Sequence, residues 1–69
     1  MKWYEIDIYE DAEGELTDRM FSRQKSLAMQ MARTAKKAIN PSRVEVNRCS
    51  GTYDGSTFDY DNVETLEVL

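Results

Sequence analysis

Between Ser22 and Ile39 the apolar spacing of this chain changes from two to three and four, and that change limits what it can fold into. Leu27, Ala28, Met31, Ala35, Ala38 and Ile39 recur at helical intervals and gather on one side of a helix. Ser22 stands where an N-cap belongs. Asn40-Pro41 ends the run, because a residue before proline is pushed out of the helical region and asparagine tolerates the left-handed conformation at a helix end.

On both sides of the helix the period is two. From Trp3 to Glu10, Tyr4, Ile6 and Ile8 fall on one face and Trp3, Glu5, Asp7 and Tyr9 on the other, as in a half-buried strand. Asp11-Ala12-Glu13-Gly14-Glu15 has the composition of a hairpin loop, and Leu16 to Phe21 returns as a second strand. A slip of one residue decides whether Met20 or Phe21 faces inward. Arg43 to Cys49 alternates again, with Val44 and Val46 opposite Glu45 and Asn47. Asp54-Gly55, within the turn-rich segment 50–56, marks a second hairpin, and Thr57 to Tyr60 forms a short strand. The tail Val63 to Leu69 reads as a strand, although Asp61-Asn62-Val63-Glu64 imitates a capping box that would open one helical turn. The expected fold is a small α+β domain of order ββαββ spanning residues 1–69, an antiparallel sheet with one helix packed across it.

The chain has 69 residues, 41% of them apolar and 32% charged, which suits one folded domain. Its single cysteine, Cys49, cannot form an internal disulfide, and the absence of histidine removes the usual general base and the usual nitrogen ligand for zinc. With no apolar run near the roughly 18 residues of a membrane span, and an acidic start in place of a signal-peptide core, a cytoplasmic location is expected. With so small a core, a permanent partner or a homodimer is expected to add stability.

Charge is segregated along the chain. Residues 1–18 hold seven acids against Lys2, residues 19–48 hold eight bases against Glu45, and residues 49–69 hold five acids and no base. Arg23, Lys25, Arg33, Lys36 and Lys37 lie opposite the apolar stripe of the helix. They read either as a solvated face attracted to the acidic strands or as a site that neutralises phosphates of DNA or RNA. The overall charge of −4 argues against the second. The acids offer the mirror image: Glu5 and Asp7, bracketed by Trp3 and Tyr9, together with Asp54, Asp59 and Asp61, could imitate a nucleic-acid backbone and occupy a basic groove on another protein. Their plainer role is to keep strands soluble and unpaired at their edges.

Site chemistry is otherwise sparse. Chains this short rarely build a pocket of the roughly 300 Å³ or more typical of ligand sites, so an enzyme is not expected. Asp59-Tyr60-Asp61-Asn62 begins like a calcium loop but lacks its glycine and has Val63 where an acid belongs, so neither metal nor cofactor is expected. Cys49 reads as a small strand-end residue or, beside Arg48, as a thiol of lowered pKa.

The opening strand Met1-Lys2-Trp3-Tyr4-Glu5-Ile6, the Phe21-Ser22 step into a single helix and the acidic C-terminal hairpin together resemble the small acidic orphan proteins of bacteriophages and mobile elements, including anti-CRISPR inhibitors. The resemblance implies a stoichiometric inhibitor in the bacterial cytoplasm that binds the nucleic-acid groove of a CRISPR effector or blocks an assembly surface. It assigns no residue a role.

Overall fold

A computed structural model describes residues 1–10 and 14–69. Four strands and one helix follow in the order β1 (Lys2–Tyr9), β2 (Leu16–Ser22), α1 (Lys25–Ile39), β3 (Arg43–Tyr53) and β4 (Phe58–Val68). The strands form one antiparallel sheet in the spatial order β2-β1-β3-β4, the ββαββ domain expected from the spacing. Asp11, Ala12 and Glu13, where the first hairpin loop was expected, lie outside the described residues.

The apolar face of β1 meets α1. Ile6, Ile8, Val44 and Val46 are fully or almost fully buried against Ala28, Ala32 and Ala35. Alanine brings the helix backbone close to the sheet, and it leaves the bulkier Leu27 and Ile39 on the flanks, 45% and 47% exposed. The buried helix stripe is therefore narrower than the apolar spacing suggests. The pairing of Ile6 with Met20 and of Glu5 with Phe21 settles the β2 register: Met20 packs on the helix side and Phe21 on the opposite face.

The helix ends as its sequence dictates. Asn40 adopts the left-handed conformation at φ 53°, its N–H bonds the Lys36 carbonyl, and Lys36 and Lys37 complement the C-terminal dipole. Its start differs from expectation. Ser22 is still in β2, opposite Tyr4, and its hydroxyl exchanges hydrogen bonds with the Gln24 backbone, so it orders the turn into the helix. Gln24 is the N-cap and makes no side-chain capping bond.

The C-terminal part is simpler than its sequence reads. The capping box at Asp61 does not open a helix; β4 runs unbroken from Phe58 to Val68, and β3 extends to Tyr53 to pair with it. Pairing is the physical reason, because β3 satisfies the backbone of the tail along its length, including Leu69 N–H to the Val44 carbonyl at 2.8 Å. Two register shifts leave Asp61 and Leu66 as extra residues on β4. Such bulges increase local twist. In a flat four-stranded sheet the edge strands would stand about 14 Å apart, yet Phe58 of β4 stacks on Phe21 of β2 with ring centroids 4.8 Å apart. The sheet thus curls, and β4 folds over the face that carries no helix.

Candidate functional site

The curled face carries Trp3, Glu5, Asp7, Asn47 and Cys49, all buried. Glu5 and Asp7 point the same way because they are two apart on β1, and Arg19 points with them from β2, where it pairs with Asp7. The Arg19 Nε lies 2.8 Å from Asp7 Oδ1 and 3.2 Å from Glu5 Oε1. Asn47 donates to Asp7 Oδ2 at 3.1 Å and accepts from the Thr65 hydroxyl at 2.7 Å, while the Tyr60 hydroxyl donates to Glu5. One guanidinium and two neutral donors therefore hold two carboxylates out of water. The hydrogen bond to Asp7 and the charges of both acids raise the Arg19 pKa further.

This network corrects the expected acidic docking surface. Trp3, Glu5 and Asp7 are 2–3% exposed, so they cannot meet a partner, and the Tyr9 ring carries the Arg43 guanidinium 4.1 Å above its centre. The alternation of β1 shows two faces correctly; the wrap of β4 covers the second. The signal that sequence inspection missed is Arg19, the one base that falls opposite Asp7 once the register is known.

Asp54, Asp59 and Asp61 remain exposed on the β3–β4 hairpin. Asp54 shapes the turn: its Oδ1 accepts from the N–H groups of Ser56 and Thr57, which hold its carboxyl below the usual range. Asp61 stands in the bulge, and no ion pair engages Asp59 or Asp61 among the described residues. Glu64 pairs with Arg48 at 3.0 Å.

The cations on and next to α1 are displayed, whereas Arg19, Arg43 and Arg48 pair with acids of the strands. Arg23 precedes α1; with Lys25, Arg33 and Lys37 it is exposed and joins no ion pair among the described residues. Lys36 is half-buried and donates to the Pro41 carbonyl at 2.8 Å. Met20, Leu27, Met31, Ala38 and Ile39, with Asp18, line an open groove of about 440 Å³ between α1 and β2, larger than the chain length suggested. No described helix is long and apolar enough to cross a membrane.

Cys49 is not a reactive thiol. Burial, with Glu5 close by, pushes its pKa up to about 12, and burial with the Glu5 hydrogen bond does the same for Tyr60. Both groups are neutral when folded and ionise first in the unfolded chain, from ordinary values of 9.0 and 10.0. Their stabilising contribution is complete below pH 9 and is lost as pH rises toward 12. Urea midpoints should fall steadily across that interval, Cys49→Ala should flatten the first part of the fall, and a thiol reagent should label Cys49 slowly until urea is added.

Comparison with protein-family models, with curated proteins and with solved structures finds no match for this chain.

Proposed function

We propose that the chain is a non-enzymatic protein-binding inhibitor that places its β3–β4 hairpin in a basic, nucleic-acid-binding groove of a bacterial complex. One observation supports it: Asp54, Asp59 and Asp61 stand exposed on a single hairpin whose segment 49–69 contains no base, and no cation of this chain pairs with Asp59 or Asp61 among the described residues. Spaced carboxylates fixed on a strand steer toward and complement a groove shaped for phosphates. The resemblance to anti-CRISPR inhibitors makes a CRISPR effector the first complex to try.

Tagged protein is used to capture complexes from bacterial lysate with and without nuclease. A stoichiometric complex that survives nuclease, sheds its nucleic acid and binds the Asp59→Lys/Asp61→Lys variant at least about 30-fold more weakly is the expected result. Equal binding by that variant removes the acidic hairpin as the interface.

A second reading is favoured by the outward display of Arg23, Lys25, Arg33 and Lys37: direct binding of DNA or RNA along α1. Capture would then vanish with nuclease, and replacing Arg33, Lys36 and Lys37 would reduce the salt slope by about one unit for each phosphate no longer neutralised. A basic face that meets an acidic protein instead would be sensitive to the same replacements and survive nuclease.

A further inference from the structure

At the end of the sheet where β1 begins and β2 ends, Trp3, Phe21, Tyr53 and Phe58 line a pocket of about 290 Å³, with Ser22 and Arg23 beside them. Phe58 packs on the other three rings at centroid distances of 4.6–4.8 Å. A cluster serving only as a second core would bury its rings. Here Phe21 is 43% and Tyr53 46% exposed, so two aromatic faces remain open to a ligand.

Two further features bear on what would enter. Trp3 is only 2% exposed, and its indole Nε1–H has no hydrogen-bond partner among the described residues. Its ring lines the pocket from within the fold, so the indole reports on what enters without touching it through this N–H. Two residues lining the pocket carry positive charge: Met1, whose α-ammonium donates to the Gly51 carbonyl at 2.7 Å, and Arg23, which is exposed and in no ion pair among the described residues. Asp54 and Asp59 line the adjoining cleft beyond Phe58, so an anionic group would leave on the Arg23 side.

We infer that this pocket binds a nucleotide, with its heteroaromatic ring against the exposed rings of Phe21 and Tyr53 and its phosphate on Arg23. The volume, just below the roughly 300–1,000 Å³ of drug-sized ligands, suits one planar ring system. Aromatic faces stack on any base, and guanidinium groups pair with phosphate. A free mononucleotide and an unpaired base of a single strand share this chemistry. Lys25, exposed at the start of α1, would offer a strand its next phosphate contact. The inference is independent of the acidic hairpin, whose variants leave every lining residue in place.

The chain has one tryptophan, so a ¹⁵N–¹H spectrum contains one indole N–H peak that reports on the pocket. Adenosine monophosphate and a twelve-residue single-stranded oligothymidylate are titrated separately at low and high salt. A saturable displacement of the indole peak, weakened about tenfold or more in Phe21→Ala and in Arg23→Gln, is the expected result. Comparable affinity for the mononucleotide identifies a free nucleotide; much tighter, salt-sensitive binding of the oligonucleotide identifies a strand. Both altered side chains are surface-exposed, the dispersion of each spectrum verifies folding, and Tyr53→Ala serves as a third variant. An indole peak unmoved by millimolar concentrations of both probes, or moved equally in all variants, overturns the inference.

Discussion

Replacing Arg19 by alanine is expected to destabilise the domain by about 3 kcal/mol at neutral pH, because it leaves two buried carboxylates without their cation. The figure belongs at the lower end of the range for breaking a buried pair. Arg19 is itself 39% exposed along its side chain, so water can reach the space it vacates, whereas Glu5 and Asp7 are 4% and 5% exposed. Equilibrium urea unfolding measures the loss. The triple variant Glu5→Gln/Asp7→Asn/Arg19→Met should recover much of the stability, because a neutral hydrogen-bonded interior needs no cation. A loss below about 0.5 kcal/mol in Arg19→Ala, the scale of an ordinary surface change, would mean that the network carries little energy.

Gly51→Ala is expected to cost about 3 kcal/mol or more, at the upper end of overpacking, because the obstruction is backbone. A Cβ at Gly51 would overlap the carbonyl oxygen of Asp59, with the Asp59 carbonyl carbon and the Tyr60 Cα close behind. Neither strand can yield alone, since β3 and β4 are paired on both sides of the contact. The melting temperature should fall by on the order of 12–24 °C, given about 4–8 °C per kcal/mol in a domain of this size. Gly14→Ala is the control: its φ of 81° is unfavourable to alanine, but nothing lies within 4 Å of the added carbon. It should cost about 1 kcal/mol. Equal melting temperatures for the two variants would show that β4 does not need its close approach at Gly51.

Most of the secondary structure could be read from the chain because each signal is local. Asn40-Pro41 stops the helix through backbone sterics, Asp54-Gly55 turns the hairpin through a side-chain hydrogen bond, and Ile6, Ile8, Val44 and Val46 alternate because a strand must. The capping-box imitation at Asp61 was equally local, and it lost to a partner strand that lies more than ten residues away in sequence. Ser22 fell the same way, taken by β2 before it could cap α1.

The burial of the acidic strand face has no local signal. Alternation assigns Trp3, Glu5, Asp7 and Tyr9 to one side of β1, and acids on a strand suggest water. Whether that side meets water depends on two bulged residues in β4 and on a glycine in β3 that admits the Asp59 backbone. The groove on the other side has a similar origin. Ala28, Ala32 and Ala35 face the sheet, so Leu27 and Ile39 are left at the flank.

By itself, then, the sequence determined the elements, their order and the segregation of charge, since these follow from periodicity and from turn chemistry acting over a few residues. The curl of the sheet was decided only in three dimensions. It buried Glu5 and Asp7 with Arg19, left Asp54, Asp59 and Asp61 outside, and brought Phe58 from one sheet edge onto Phe21 at the other. Burial of a strand's second face depends on what another segment lays over it, and no local pattern within β1 records that.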